Sequence, residues 1–339
     1  MNKISHKHAS LYIQPSQYDI VGTYLLRAMS TVLGAALTPP ILDAWSAAYK
    51  QLADLMIGVE ESMLREAAKC DWTSWRPFVI ADKVKEAAEI TSFYLKPKDG
   101  KPLPKYLPGQ YISVQMEVPD LHYLQSRQYS LSGEPRQDYY RISVKKESGV
   151  SVGDPSAPAH PGYVSNVLHD DKNVGDVVEV SYPRGDFFLD LERTLDFPIV
   201  LISAGVGVTP MVAILETLVA RGHEQPIEWV HATRSRRLHA FGEHVRELGK
   251  EHGNVRVEVF NKEADDGEEA GYDFKGRMDL GKLDRERDLH VGDARTEYYV
   301  CGPEGFMMDV KKTLVGYGVK EEKIKCEIFS TGMGMLDSK

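Results

Sequence analysis

Arg127-Gln128-Tyr129-Ser130, Gly205-Val206-Gly207-Val208-Thr209-Pro210 and Cys301-Gly302-Pro303 stand in that order along the chain. A cation, an aromatic ring and a small hydroxyl on one extended segment suit a pyrophosphate, the face of a flavin ring and its polar edge. Strand alternation puts Arg127 and Tyr129 on the same face. The glycine pair follows the apolar run Ile199-Val200-Leu201-Ile202 and opens a helix, the context in which backbone N–H groups approach a dinucleotide pyrophosphate. Thr209 adds a hydroxyl, and Pro210 suits the first helical position. The order therefore reads as a flavin seat followed by a nicotinamide-dinucleotide seat.

Flanking residues extend both seats. Gly162 and Ser165 at a predicted helix start offer N–H groups to phosphate, with Gly109-Gln110-Tyr111 upstream and Gly185-Asp186-Phe187-Phe188 downstream. After the next predicted strand comes Arg234-Ser235-Arg236-Arg237, where the adenosine ribose is usually read. That cluster suits a 2′-phosphate, and equally it is a solvated charge run, so both NADH and NADPH stay open.

The elements that must carry these residues show in the apolar spacing. Residues 18 to 69 read as two helices interrupted at Gly34 and Pro39-Pro40. Two helices alone make no core. From Trp75 to about Leu191, short β-branched and aromatic runs predict an antiparallel β-barrel, with residues 148 to 162 as an insertion. From Phe197, strands alternate with helices at 210 to 221, 240 to 251 and 304 to 317, which predicts a parallel sheet covered on both faces. The expected divisions are 1–70, 71–192 and 193–339.

At 339 residues the chain is long enough for several cores. A net charge of −9 argues against nucleic acid or an anionic membrane as partner. No apolar run approaches the roughly eighteen residues of a spanning helix. Three cysteines, Cys70, Cys301 and Cys326, form no C-x-x-C pair, so neither a zinc site nor a disulfide framework is expected. With no signal-peptide pattern at the start, the cytoplasm is the expected compartment.

From about residue 76 the motifs resemble the ferredoxin-NADP reductase superfamily. Upstream, Lys7-His8, Gln17-Tyr18, Leu42 to Trp45 and Val59-Glu60 resemble the C-terminal half of a flavohemoglobin globin domain, and Trp75-Arg76-Pro77-Phe78 resembles that family's linker. The resemblance implies FAD, NAD(P)H and haem b as cofactors, and His8 as the proximal iron ligand, with Tyr18 and Glu60 bonded around it. It also implies Lys7 and Glu327 at the junction between flavin and haem, and Cys301 and Gly302 beside the nicotinamide. Cys326-Glu327-Ile328-Phe329 resembles the terminal strand whose Phe covers the flavin. Ser330-Thr331-Gly332 then departs from the family's Gly-Pro.

The implied fold is multidomain: a partial all-α globin, an antiparallel β-barrel for FAD and an α/β parallel-sheet domain for NAD(P). The implied activity is nitric oxide dioxygenase, in which NAD(P)H reduces FAD, FAD reduces haem, and nitric oxide and oxygen give nitrate. His8 is the eighth residue, so the family's distal helices are not in this sequence; the expectation is an electron-supplying half whose dioxygenation is in doubt. Two alternatives are a stand-alone diaphorase or ferric reductase, and a non-catalytic module that docks on a globin or self-associates through exposed helices.

Overall fold

The computed structural model describes residues 2–119, 121, 123–149, 162–193, 195–263 and 271–329. Three helices come first. α1 (Asn2–Ser10) buries Ser5, Ala9 and Ser10, small side chains that leave no hydrophobic stripe, which is why apolar spacing alone does not reveal it. α2 (Pro15–Leu33) starts ahead of the expected residue 18 because Pro15 and a Gln14–Gln17 capping box open it. It ends at Gly34, whose φ of +52° favours glycine. α3 (Pro39–Ala68) crosses α2 at Gly22, where a Cβ would lie 2.4 Å from the Tyr49 ring. As expected for two helices without a core, Ile20, Tyr24, Val32 and Trp45 stay exposed.

The second unit is an antiparallel sheet of β1 (Arg76–Lys85), β2 (Ile90–Pro97), β3 (Tyr111–Glu117), β4 (Leu124–Ser130), β5 (Tyr140–Lys145) and β6 (Val177–Val180), with the four-residue α4 (Tyr163–Asn166) before β6. The strand order is β4-β3-β6-β1-β2-β5. Leu131, just past β4, bridges Ile142 of β5, so the two outer strands meet and the sheet curls shut. The expected insertion at 148 to 162 falls largely on residues 150–161, outside the described residues.

Phe78, Ile80, Phe93, Leu95, Ile112, Val114 and Ile142 fill the barrel core. Trp72, from the segment after α3, plugs one side. It stacks 6.4 Å from Tyr140 and meets Phe78 and Tyr182 at 5.6 Å each, with the Arg76 guanidinium 4.9 Å from its ring centroid.

The third unit is a parallel sheet of β7 (Ile199–Ala204), β8 (Ile227–Thr233), β9 (Val255–Asn261), β10 (Phe274–Lys275), β11 (Glu297–Cys301) and β12 (Ile324–Glu327), in the order β10-β9-β8-β7-β11-β12. α5 (Val208–Ala220) and α6 (Gly242–Glu251) cover one face, with Met211, Leu215 and Val245 packed with Leu201 and Trp229. α7 (Glu304–Gly316) covers the other, with Met307, Val310 and Leu314 packed with Val200 and Ile202.

Three boundaries differ from expectation. α5 begins at Val208, so Pro210 is its third residue and not its first, still in the turn whose N–H groups have no helical partner. α6 begins at Gly242 because Phe241 is left-handed, with φ +61°. β12 ends at Glu327, leaving Ile328 and Phe329 past the strand and exposed.

Replacing Trp72 by Ala would empty the largest plug of the barrel. A loss of about 3–5 kcal/mol in unfolding free energy is expected, read from the denaturant midpoint of the purified protein.

Candidate functional site

α1, α2 and α3 each give one residue to a closed triangle. His8 Nδ1 lies 2.8 Å from Tyr18 Oη and 2.9 Å from Glu60 Oε1, and Tyr18 donates to the same carboxylate oxygen at 2.5 Å. Because the Tyr18 proton goes to Glu60, both neighbours of Nδ1 are acceptors, and Nδ1 must carry the proton. Nε2 then keeps its lone pair and has no hydrogen-bond partner among the described residues. An imidazole held this way by a carboxylate has its ring orientation and tautomer fixed, as metal-bound histidines have. The chemistry of this donor set fits an axial haem ligand. Glu61, the neighbour that could have been confused with Glu60, is exposed and pairs with Arg65 at 3.5 Å.

On β4, Arg127 stands opposite Val114 and Tyr129 opposite Ile112, so the two share a face. The Arg127 guanidinium touches only Gln125 Oε1 at 3.3 Å and the Ser126 carbonyl at 2.8 Å, with no carboxylate partner among the described residues. Gln128 points to the other face and donates to Ser10 Oγ of α1 at 3.0 Å. Ser130 is buried opposite Tyr111. Gly162 precedes α4, Ser165 donates back to its carbonyl at 3.2 Å, and the neighbouring Asn166 Oδ1 is buried without a hydrogen bond. A cation without a carboxylate partner among the described residues, an aromatic ring on the same strand and an orphaned acceptor at α4 fit a phosphorylated, hydrogen-bonding cofactor such as FAD.

Gly205, Val206 and Gly207 form a tight turn leading into α5 at Val208, and Gly205 has φ +56°. A Cβ on Gly207 would sit 2.3 Å from the Cys301 carbonyl oxygen, and one on Gly302 would sit 2.8 Å from the Phe306 ring. Only glycine permits this approach of the two loops. Thr209 Oγ1 donates to Val206 O at 3.1 Å. Cys301 is fully buried and burial pushes its thiol well up, with Glu327 adding to the effect, so it stays a neutral thiol. Arg234, Arg236 and Arg237 are exposed beyond β8.

Cys301 pairs in register with Glu327 on β12, and Lys3 of α1 reaches Glu327 at 3.5 Å. The first helix, the end of the parallel sheet and the glycine loop therefore converge on one spot. Lys7 also lowers the Glu327 carboxyl, more weakly than Lys3.

A family model for the globin matches residues 1–56, and one for the oxidoreductase NAD-binding domain matches residues 201–312. The flavohemoprotein of Bordetella pertussis is 47% identical over 337 residues, covering 98% of this chain and 80% of that protein. The flavohemoprotein of Bacillus subtilis is 41% identical over 342 residues, covering 100% of this chain and 80% of that protein. This chain belongs to the flavohemoprotein family. Among solved structures, the flavohemoglobin from Malassezia yamatoensis with bound FAD and heme aligns with TM-score 0.81 at 30% identity, covering 97% of this chain and 79% of that one. The flavohem-like FAD/NAD binding domain of nitric oxide dioxygenase from Vibrio cholerae O1 biovar El Tor aligns with TM-score 0.64 at 39% identity, covering 75% of this chain and 98% of that one. Among the described residues no helix is long and apolar enough to cross a membrane.

Lys3 is a partner of Glu327 that motif reading missed. It precedes Lys7 by four residues on a helix, hence on the same face, and that spacing was the available signal. Burial raises the Glu327 carboxyl, Lys3 pulls it back down, and Asp186 raises it further; the net direction is up. The folded protein thus holds this proton more tightly than the unfolded chain. Stability from this group is fully present below the ordinary glutamate range and is lost as pH rises through the raised value. Glu327→Gln is expected to raise the thermal midpoint at pH 7 and leave it unchanged near pH 4, as melts at both pH values would show.

Proposed function

We propose that this chain is an FAD-dependent NAD(P)H oxidoreductase that passes electrons to haem, with conversion of nitric oxide to nitrate as the family activity. The observation that carries the reading is the His8, Tyr18 and Glu60 triangle, since a reductase without haem has no use for an imidazole with a fixed tautomer and a free Nε2. When bound, FAD supplies a flavin N5 that accepts hydride from nicotinamide C4 and releases electrons singly, and haem supplies the iron that takes them and holds oxygen.

The chain's own residues bind and orient. Arg127 neutralises the flavin pyrophosphate, Tyr111 and Tyr129 wall the ring, and Ser130 bonds its polar edge. Gly162, Ser165 and Asn166 close the phosphate end. Gly205, Val206, Gly207, Val208, Thr209 and Pro210 hold the dinucleotide, and Cys301 and Gly302 shape its nicotinamide end. Phe329, exposed just beyond β12, would cover the flavin. His8 holds the iron; Lys3, Lys7 and Glu327 line the electron path. The division into residues 1–70, 71–192 and 193–339 assigns one cofactor to each part. A cytoplasmic setting suits the free thiols of Cys70, Cys301 and Cys326.

One absorption spectrum of the protein reconstituted with FAD and haem, before and after anaerobic NADH and, in a second sample, NADPH, tests this. Flavin bands that bleach beside a Soret band that shifts on reduction are expected. Bleaching without a Soret band would leave a diaphorase, and no bleaching would overturn the oxidoreductase itself. Arg127→Ala removes a charge-assisted contact of about 1.5–3 kcal/mol, so FAD affinity should fall about tenfold or more, measured as flavin retained through purification. Unchanged retention would remove Arg127 from the flavin seat.

A further inference from the structure

Away from the cofactor segments, a partly buried charged cluster lies where the barrel meets the parallel-sheet unit. Arg141 comes from β5, Glu216 from α5 and His244 from α6. Arg141 Nη2 donates to Glu216 Oε1 at 2.9 Å, and His244 Nε2 lies 3.0 Å from the same oxygen. The other carboxylate oxygen accepts the Glu134 N–H at 3.1 Å. Arg141 Nε and Nη2 both donate to the Ser132 carbonyl, the former at 3.0 Å. Its guanidinium also lies 5.3 Å from the Phe241 ring centroid, across the joint. Side-chain exposure is 13% for Arg141 and 16% for Glu216, so this is not a solvated surface pair.

We propose that Arg141 and Glu216 form an interdomain latch that sets the position of the dinucleotide loop relative to the flavin strand; they are positioning residues for hydride transfer. The proposal rests on the functional reading given above. Both ends of the latch are tied to the two seats. Ser132, which Arg141 grips, lies two residues beyond Ser130 of β4, and its N–H bonds the Arg141 carbonyl at 2.8 Å. At the other end, Glu216 stands on the same helix that the glycine loop opens, about 12 Å along its axis from Val208. A helix transmits displacement as a rod, so a shift at Glu216 moves Gly207.

Apolar contact between the two units lies elsewhere, where Ile90 of β2 and Ala87 join the core of the parallel-sheet unit. A cleft of about 270 Å³ opens beside the cluster, lined by Gly133, Arg136 and Tyr139 from the barrel side and by Val219, Ala220 and Leu248 from the other. Polar geometry therefore fixes the spacing locally. A largely buried pair whose partners are further held by the Ser132 carbonyl, the Glu134 N–H and His244 tolerates little misalignment. Hydride transfer is equally intolerant, since misplacement by 1 Å costs about a hundredfold in rate.

The test uses the full chain loaded with FAD, with stopped-flow reduction at saturating NADH or NADPH, whichever reduces wild type faster. Arg141→Gln and Glu216→Gln should each lower the limiting rate of flavin bleaching about tenfold, with FAD content and dithionite reduction as in wild type. The double variant should fall no further than either single, because one latch opens only once. Arg141→Lys, which keeps the charge and loses the fork, should fall between. Wild-type limiting rates in both singles, additive losses in the double, or rate losses matched by FAD loss would overturn the latch. Glu216→Gln preserves the side-chain shape and an acceptor for the Glu134 N–H, and decides the matter by itself if Arg141→Gln does not fold. A wild-type flavin that neither nucleotide bleaches overturns the functional reading and the latch together, whereas bleaching in wild type at rates the variants share overturns the latch alone.

Discussion

Ser10 Oγ donates to Lys7 O at 2.7 Å and accepts from Ser113 Oγ at 2.9 Å and from Gln128 Nε2 at 3.0 Å, so α1 cannot slide along β3 and β4 without stranding buried polar groups. Each stranded group would cost about 1–3 kcal/mol. The seam continues where Gly185 N donates to His6 Nδ1 at 3.2 Å and Arg184 Nη2 donates to Met63 O of α3 at 2.7 Å. α1 and α3 are thus registered on the barrel by hydrogen bonds. His8 lies two residues from Ser10, and Gln128 lies between Arg127 and Tyr129. One strand therefore presents its odd positions to one side and holds the histidine-bearing helix with an even one.

How much of this was visible in the sequence depends on whether the information is local. The RQYS strand, the glycine turn before α5 and the alternation of β7 to β12 with helices all follow from periodicity and turn chemistry within short windows. Glu60 against Glu61 was decided only by the fold, because adjacent helical positions point about 100° apart and only one of them reaches His8. α1 was invisible because its buried face is Ser and Ala. The partner of Glu327 and the cluster of Arg141, Glu216 and His244 join residues far apart in sequence. No window of spacing records a contact between two domains. Phe329 shows the limit from the other side, since a β-rich tetrapeptide does not reveal that pairing stops at Glu327.

The triangle of His8, Tyr18 and Glu60 also has to do structural duty. Among the described residues, the helices otherwise meet at the Gly22–Tyr49 crossing and at a small cluster of Tyr18, Ala53 and Met56 with Ile13 and Ile57 packed against it, and Tyr49 Oη donates to Tyr18 O at 2.6 Å. Burial leaves the Tyr18 hydroxyl strongly un-ionised, with the Glu60 hydrogen bond adding to the effect, so it remains a donor across the accessible pH range. Glu60 is buried, and its Oε1 takes both the Tyr18 hydroxyl and the His8 N–H. Removing either donor strands part of a buried carboxylate, which is costlier than losing a hydrogen bond between neutral groups. The bonds that orient the His8 ring are the same bonds that hold α1, α2 and α3 to one another. A change at Tyr18 or Glu60 that freed the ring would therefore also loosen the helices that present it. Adjustment of the histidine that spares those helices comes through the other side of the ring, at Nε2, or through the polar seam that positions α1.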